Sequence, residues 1–495
     1  MLFSFFDAAQ FRGFPDCMTP WRPLETLRRA LGALALGACC WGPAQLAAAR
    51  DASLPVPVAE AVARARLGAT DASFFVQEIG IDKPVLAVQA DLAQNPASTI
   101  KLITTYAALE LLGPAYTWKT QFVSEAPIVG DVLMGDLRVR ASGDPQFLWE
   151  HLWQVLTDLR NRGVREIRGD LVIDRSVFEP IVHDDAAFDG DRLRAYNVGP
   201  DALMFNYKAT ALHFAPVDSG LSVWMEPRVP GMAPRVDVRL VDGPCLDWRS
   251  RLQGDFSDPA HPAITGEYPR DCASRTWYLN LWSHDEYMRQ AFTQLWTELG
   301  GVLRPDFAVR SGPIPAGVRL LAERTSAPLA EQIREVNKFS NNVMARQIFL
   351  ALSTEPKSAA AARQNVSAWL TAKGIDISPL VLENGSGLSR IERTSARMMG
   401  AVLQSAYRSV VMPEFVASMP ILGLDGTMRK RLTTEAVVGS SHIKTGSLAD
   451  TRAIAGYVQA ASGRRYVVVS IISGPRAIAA QAVHDALLRW VYTEH

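Results

Sequence analysis

The sequence predicts an α/β domain that is interrupted by a long, β-rich insertion. Strand-like runs lie near both ends of the chain: "ASFFVQEIG" and "PVLAVQAD" at one end, and "SSHIKTGSL", "RAIAGYVQAA" and "RRYVVVSIIS" at the other. Helix-like patterns accompany these five runs. Residues 119–296 differ, with short alternating runs punctuated by Gly, Pro and Asp. We therefore expect one sheet drawn from both ends and an inserted middle.

The composition is that of a globular protein. A chain of 495 residues is too long for one ordinary core, so two to three domains are expected. Its 51 basic and 51 acidic side chains cancel. Nucleic acid is therefore not an expected partner.

Residues 18–49 are expected to form an export signal that starts at Met18. Arg22, Arg28 and Arg29 precede the apolar run "ALGALALGACCWG", and small residues follow in "AQLAAAR". The apolar run is too short to span a bilayer comfortably. A buried N-terminal helix and lipid attachment at "LGAC" remain as alternatives. With export, the expected location is the periplasm.

The other elements follow from local patterns. "ASTIKLITTYAALELL" predicts a helix that starts after Pro96 and stops at Gly113. In the insert, "FLWEHLWQVLTDLRNRG" predicts a helix and "GDLVID" a strand. "PLAEQIREVNKFSNNVMARQIFLALS" predicts two helices with a break near Lys338, and "AIAAQAVHDALLRWVY" closes the chain as a helix. Cys245 and Cys272 remain after the signal and could form a disulfide or stay as two buried thiols.

Ser98 and Lys101 are the first candidate catalytic pair. On a helix, residues three apart share a face, so the amine could accept the hydroxyl proton if its pKa is lowered. A capping serine beside a solvated lysine is the plain alternative. The same spacing recurs at Ser441 and Lys444, but there it falls on a strand, where the two side chains point to opposite faces.

Two further motifs strengthen the catalytic interpretation. Ser340-Asn341-Asn342 lies at the start of a helix, and Lys444-Thr445-Gly446 lies on a strand. Each alone could be a helix cap or an ordinary edge lysine and turn. Together with the Ser-x-x-Lys motif, and in this order, they match the motif set of β-lactamases and penicillin-binding proteins.

The chain resembles the class C penicillin-binding proteins of low molecular mass, which form the D-alanyl-D-alanine carboxypeptidase/endopeptidase family S13. The stretches "SGDP", "NGSGLSR" and "LDGTMRKR" are similar to family signatures. So are the Ser-Asn-Asn form of the second motif and the long separation between Ser98 and Ser340. The resemblance covers nearly all of the chain after the signal.

This resemblance implies a domain like the transpeptidase domain of penicillin-binding proteins and β-lactamases. Its five-stranded antiparallel sheet, flanked by helices, would come from residues 50–122 and 320–495. Two smaller β-rich domains would interrupt it. The first would combine residues 123–148 and 237–319, and the second would comprise residues 149–236.

The implied reaction is acyl transfer on peptidoglycan stem peptides. Ser98 would attack the carbonyl of the penultimate D-Ala while Lys101 takes the hydroxyl proton. Ser340 would relay a proton to the leaving amine, and Asn342 would hold an amide of the substrate. No metal or organic cofactor is implied.

The third motif would bind the end of the peptide. Lys444 supplies positive charge near the terminal carboxylate, and Thr445 can donate a hydrogen bond to it. Gly446 leaves room for a peptide beside the strand. The backbone N–H groups of Ser98 and Ser447 would form the oxyanion hole.

A side pocket for the diaminopimelate-type side chain is also implied by the resemblance. Arg390, in "NGSGLSR", matches the arginine of that pocket. Asp191, in "FDGDRLRAYNVGP", is a second candidate, and a solvated loop carboxylate is its plain alternative. The implied partners are peptidoglycan peptides and β-lactams, while membrane-surface association and self-association stay open.

Two other functions compete with the peptidase. A β-lactamase would need fast deacylation, often assisted by a dedicated glutamate, and no motif assigns one. A non-catalytic peptidoglycan-binding protein would not require the serine, lysine and asparagine that are present. A metallopeptidase is disfavoured because the chain has no HExxH motif and its eight histidines are scattered.

Overall fold

The computed structural model describes residues 53–218, 220–228 and 232–495, so the expected signal at 18–49 lies outside the described residues. The helices of this part are α1 (Val56–Arg64), α2 (Lys101–Leu111), α3 (Trp149–Asn161), α4 (His284–Glu298), α5 (Leu329–Lys338), α6 (Asn342–Ala351), α7 (Ala359–Ala372), α8 (Ala396–Arg408), α9 (Met412–Ala417) and α10 (Gln481–Glu494). None of these described helices is both long and apolar enough to cross a membrane.

The strands of the described residues fall into five sheets. In chain order they are β1 (Ala72–Glu78), β2 (Leu86–Val88), β3 (Lys119–Ser124), β4 (Ile128–Val129), β5 (Val132–Leu133), β6 (Leu137–Arg140), β7 (Glu166–Ile167), β8 (Leu171–Asp174), β9 (Thr210–Val217), β10 (Gly220–Glu226), β11 (Arg235–Val241), β12 (Leu252–Asp255), β13 (Ala263–Pro269), β14 (Arg275–Leu279), β15 (Val302–Leu303), β16 (Val309–Ser311), β17 (Arg319–Thr325), β18 (Ser441–Leu448), β19 (Thr451–Gln459) and β20 (Arg465–Ser473).

The central sheet joins the two ends of the chain. Its order is β18-β19-β20-β1-β2, and every neighbouring pair is antiparallel. The five strands are those expected from the sequence, so the predicted fold class is confirmed. Because β18 is an edge strand, one side of its backbone is free of strand partners and faces the site.

Both faces of this sheet are buried, because its side chains alternate between two cores. In β20, Val467 and Val469 pack with α2, α5, α6, α7 and α8 on one face. Val468 and Ile472 pack with α1 and α10 on the other face. The near-continuous apolar sequence of β20 follows from this double burial.

Among the described residues, the middle of the chain contains four further sheets and two further large cores, besides a small cluster of Val198, Met204 and Val343. One sheet has the order β16-β8-β6-β3-β17, and its core includes α3 and α4. The β9, β10 and β14 sheet shares a separate core with the β11, β12 and β13 sheet. Cys245 and Cys272 form a disulfide at this second core.

Strand pairing groups the middle region differently from the expected boundaries. The boundaries at 122 and 320 fall inside β3 and β17, which pair with each other through Phe122 and Ala322. β8, expected in the 149–236 insert, pairs with β6 and β16 of the other unit. β13 was expected in that other unit, and the expected boundary after residue 236 cuts β11; both strands share a core with β9. Hydrophobic patterning locates strands, but it does not show which strands pair.

Candidate active site

Ser98 lies in a tight turn directly before helix α2. Ala97–Ile100 form a single 3-10 turn, and α2 begins at Lys101. Ala97 has φ of 46°, a left-handed conformation that is costly for a residue with a side chain. Gly387 packs against this turn so closely that an added Cβ would lie 2.2 Å from the Ala97 oxygen. The serine is therefore presented by a strained turn that neighbouring backbone holds in place.

Lys101 is fully buried and contacts three oxygen atoms. Its Nζ donates to Ser98 Oγ at 2.9 Å and to Asn342 Oδ1 at 2.7 Å. The third acceptor is the backbone carbonyl of Ser386. The predicted serine–lysine pair therefore exists, and the asparagine of the second motif completes it.

The electrostatic surroundings favour a neutral amine at Lys101. Burial, which disfavours the charged form, lowers the pKa of Lys101 well below its usual value, and the nearby charge of Lys444 lowers it further. Glu392 opposes this shift, while Arg346 reinforces it. A neutral amine beside a hydroxyl is the protonation state that a general base requires.

The second motif occupies the break between α5 and α6. Ser340 has φ of 60°, which turns the chain sharply after α5. Asn341 caps α6 by accepting a hydrogen bond from the Met344 N–H at 3.1 Å. Asn342, the first residue of α6, is left free to face Lys101. Asn341 thus caps the helix, and Asn342 is the asparagine that contacts Lys101.

Lys444 links the third motif to the second. Its Nζ donates to Ser340 Oγ and to the Thr445 carbonyl, each at 2.8 Å. Burial lowers the pKa of Lys444 to about 7. Thr445 Oγ1 donates to Thr427 Oγ1 at 2.8 Å, so two hydroxyl groups stand beside the strand.

The free edge of β18 lies against the serine turn. An added Cβ on Gly446 would lie 2.7 Å from the Pro96 oxygen and 3.1 Å from the Ser98 nitrogen. The space at Gly446 is thus already filled by the turn. The Ile443 N–H points away from β19 and donates to the Pro420 carbonyl at 2.9 Å. Since N–H directions alternate along a strand, the Ser447 N–H also points to this free edge.

Comparison with known proteins decides the family. The family model described as D-Ala-D-Ala carboxypeptidase 3 (S13) matches residues 55–493. The chain belongs to this family. It is 29% identical to a D-alanyl-D-alanine carboxypeptidase of an Actinomadura species, over 78% of this chain and 75% of the relative. It is 26% identical to the D-alanyl-D-alanine carboxypeptidase DacB of Haemophilus influenzae, over 82% and 86% of the two chains.

Solved structures support the fold. The crystal structure of penicillin binding protein 4 (dacB) from Haemophilus influenzae superposes with a TM-score of 0.73 at 24% identity, covering 89% of this chain and all of that one. The same protein in complex with a β-lactam gives a TM-score of 0.67 at 22% identity. At 24% and 22% sequence identity, these two structures support a shared fold and no more.

In this S13 family member, Arg390 and Asp191 line different cavities. Arg390 stands over the Phe188 ring, 4.2 Å from its centroid, at a cavity of about 660 Å³. Asp191 accepts from Arg194 Nε at 2.8 Å and lines a larger cavity of about 1460 Å³. The two residues expected for one side pocket thus lie on the walls of two cavities. Asp184 and Phe188 share the cavity of Arg390 instead.

The larger cavity reaches the catalytic cluster. Ser340 and Asn342 lie on its wall, together with the exposed rings of Tyr196, Tyr278 and Phe339. A substrate much larger than a dipeptide therefore has room beside the second motif.

Three residues of the site were missed in the sequence. Ser386 contributes through its backbone carbonyl, and Glu392 through a buried charge. Thr427 contributes a hydroxyl group beside Thr445. Ser386 and Thr427 lie inside the stretches "NGSGLSR" and "LDGTMRKR", which were the available signal. Every residue type has a backbone carbonyl, so the sequence could not show that Ser386 contributes this contact.

Proposed function

We propose that this chain is a serine D-alanyl-D-alanine carboxypeptidase that acts on peptidoglycan stem peptides through an acyl-enzyme. One observation carries the proposal. The Ser98 hydroxyl lies 2.9 Å from the Nζ of a buried lysine that also contacts Asn342, while Lys444 of the edge strand contacts Ser340 beside them. A nucleophile, a base and a cation from three separate motifs thus meet at one site, as acyl transfer requires.

In the acylation step, Ser98 Oγ attacks the carbonyl carbon of the penultimate D-Ala. The neutral amine of Lys101 takes the hydroxyl proton as the new C–O bond forms. The developing oxyanion accepts hydrogen bonds from the N–H groups of Ser98 and Ser447. Each such donor contributes on the order of 3 kcal/mol to stabilising the transition state.

Release of the terminal D-Ala needs a proton on its nitrogen. Ser340 is the proposed donor, because its hydroxyl is 2.8 Å from Lys444 Nζ and can be reprotonated through it. The C–N bond then breaks and the free amino acid leaves. The proton that Lys101 took from Ser98 passes to solvent, and Lys444, which reprotonated Ser340, regains a proton from solvent. Water then attacks the ester, and the neutral Lys101 takes a proton from the water. Lys101 gives this proton to Ser98 Oγ as the ester C–O bond breaks, and the shortened peptide leaves.

Recognition of the terminal carboxylate is assigned to the third motif. Lys444 offers a positive charge when protonated, and Thr445 offers a hydroxyl donor. Gly446 allows the strand to approach the serine turn, which brings these groups near the reacting bond. The cavity at Arg390 is the proposed place for the side chain of the stem peptide. Asp184 replaces Asp191 as the carboxylate proposed there.

Export and antibiotic binding complete the proposal. The signal expected at residues 18–49 would place the enzyme in the periplasm, where peptidoglycan is accessible. β-Lactams would acylate Ser98, because they present an acyl carbonyl and a carboxylate in the arrangement of the natural peptide end. Endopeptidase action on cross-linked peptides is a second proposed activity, supported by the large cavity beside Ser340 and Asn342.

Mass spectrometry of defined muropeptides tests these activities. Incubation should remove one alanine from a monomeric pentapeptide, and endopeptidase action should split a cross-linked dimer. A parallel incubation with penicillin should leave a persistent acyl-enzyme. Rapid turnover of penicillin would favour a β-lactamase, whereas unchanged muropeptides that still bind would favour a non-catalytic protein.

A further inference from the structure

The direction of the Lys101 lone pair is set by its hydrogen-bond acceptors. One of the four tetrahedral directions at Nζ is the bond to Cε. The other three serve the contacts with Ser98 Oγ, Asn342 Oδ1 and the Ser386 carbonyl. The last two atoms can only accept, so each requires an N–H group. In the neutral amine, the lone pair is therefore left to point at the Ser98 hydroxyl. The Ser386 carbonyl is one of the two atoms that aim the base.

The Glu392 carboxylate binds the part of loop 383–387 that directly precedes this carbonyl, while Asn384 Oδ1 accepts from the Ser386 N–H and Thr104 donates to the Gly385 carbonyl. Oε1 of Glu392 accepts the backbone N–H groups of Glu383, Asn384 and Gly385, at 3.2, 3.1 and 2.9 Å. Gly385 and Gly387 both have positive φ, 69° and 79°, so the loop has a tight path that few residues allow. Three consecutive N–H groups converging on one oxygen fix this path directly before Ser386.

Glu392 is also an electrostatic neighbour of the base. The side chain is fully buried, and its second oxygen, Oε2, has no hydrogen-bond partner among the described residues. Burial raises the pKa of Glu392, while the three N–H groups and the charge of Lys101 oppose this. Lys444, Arg346 and Glu392 are the charged groups that act on Lys101, and Glu392 is the one that raises its pKa.

We propose that Glu392 is a positioning residue for the general base: its carboxylate gathers the N–H groups of residues 383–385 and thereby holds the Ser386 carbonyl against the Lys101 amine. The proposal rests on the function proposed above, because it concerns the same acylation step. Glu392 does not touch the substrate in this scheme. It acts through the loop and through its charge.

Two substitutions separate geometry from charge. Glu392→Asp keeps the charge but withdraws the carboxylate from the loop, so the acylation rate constant with penicillin should fall on the order of 10-fold at every pH. Glu392→Gln removes the charge that raises the Lys101 pKa, so the acidic limb of the pH profile should move to lower pH. Its plateau should also fall, because a neutral amide accepts the three N–H groups less strongly.

The alkaline limb of the same pH profile serves as an internal control. The alkaline limb, which we assign to deprotonation of Lys444, should not move in either variant, because burial alone lowers the pKa of Lys444. Glu383→Gln is the matched variant: it removes a carboxylate from the same loop but keeps the backbone N–H that Glu392 binds. It should leave both limbs and the plateau unchanged.

Equal loss of rate in both Glu392 variants, with no movement of the acidic limb, would overturn the proposal and mark a merely structural residue. Wild-type rates in both variants would also overturn it. Measuring penicillin acylation keeps this test separate from the proposed peptidase activity. If the wild-type enzyme is acylated but releases no D-Ala, the proposed function fails while the Glu392 experiment still gives a result.

Discussion

At the scale of single residues, the two buried lysines of the site have different proposed roles because their amines contact different groups. The Lys101 Nζ contacts Ser98 Oγ, and burial, reinforced by the charge of Lys444, favours the neutral form of its amine. The Lys444 Nζ donates to the Ser340 hydroxyl and to the Thr445 backbone carbonyl at the strand edge, and burial lowers the pKa of Lys444 to about 7. These surroundings suit the proposed roles of Lys101 as the base and of Lys444 as the cation that attracts the substrate carboxylate.

Removing the Lys101 amine tests its proposed task. Lys101→Met keeps most of the side-chain volume but leaves the Ser98 hydroxyl without a base. Penicillin acylation should slow by about 10²- to 10⁴-fold, the usual contribution of a general base. Stopped-flow or gel-based labelling would measure the rate constant. Lys83→Met, at an exposed position in the β1–β2 turn, is the control and should acylate like the wild type.

The pKa of Lys444 predicts how peptide hydrolysis depends on pH. The charged form of Lys444 attracts the terminal carboxylate, and this form is lost as the pH rises through about 7. A bound carboxylate favours the charged form, so substrate binding should take up a proton. We expect kcat/KM for a D-Ala-D-Ala peptide to fall above neutral pH. A Lys444→Arg variant that kept the same alkaline fall would contradict this assignment, since arginine stays charged.

Several residues of the proposed catalytic site were predictable from sequence because the proposed chemistry requires a specific side chain. Ser98, Lys101 and Asn342 meet as the motifs suggested. The cavity that Asp191 lines could not be predicted in this way, because the sequence around a loop carboxylate does not show which cavity the folded loop borders. Its ion pair with Arg194 depends on the folded loop.

At the scale of elements, the site depends on the close approach of three backbone segments. The turn 97–100, the loop 383–387 and strand β18 meet where Gly387 and Gly446 leave no room for a Cβ. Sequence periodicity predicted the helix after Pro96 and the break near Lys338. It could not show that the helix begins with a 3-10 turn, because that geometry is imposed by the surrounding segments.

Alanine substitutions at two glycines with similar φ angles would distinguish the cost of backbone strain from the cost of a steric clash. Gly387 and Gly463 have φ of 79° and 87°, but an added Cβ clashes with the Ala97 oxygen only at Gly387. Gly463→Ala should cost about 1 kcal/mol of unfolding free energy, from backbone strain alone. Gly387→Ala should cost at least about 3 kcal/mol, because overpacking adds to strain.

Thermal unfolding and penicillin acylation would be measured on both variants. The Gly387 variant should also acylate more slowly, because the serine turn is displaced, whereas the Gly463 variant should not. Equal effects of the two substitutions would show that the turn tolerates displacement of its neighbours.

At the scale of the whole molecule, the inserted region has cores of its own. We propose that residues 123–174 with 284–319 form one inserted unit and that residues 210–281 form the other, since strand pairing and cores follow these groups. The expected boundaries could not anticipate this grouping. β8 joins β6 and β16 across large sequence separations, and such pairing is not encoded in local patterns.

The disulfide offers a test of how independent the second unit is. Cys245 and Cys272 are 27 positions apart at its core. Replacing both with serine should destabilise this unit by about 3 kcal/mol, through the greater freedom of the unfolded chain. Hydrogen exchange should show faster exchange in β9 and β13 but not in α2. Loss of protection throughout the central sheet would instead show that the units unfold together.

The central claim is that a hydroxyl on the turn before α2 is the nucleophile of an acyl transfer. The most direct measurement is peptide mapping by mass spectrometry after incubation with penicillin, performed on the wild type and on Ser98→Ala. We expect one penicilloyl adduct on the wild-type peptide that contains Ser98, and no adduct on the variant. An adduct on another residue, or labelling that persists in Ser98→Ala, would contradict it.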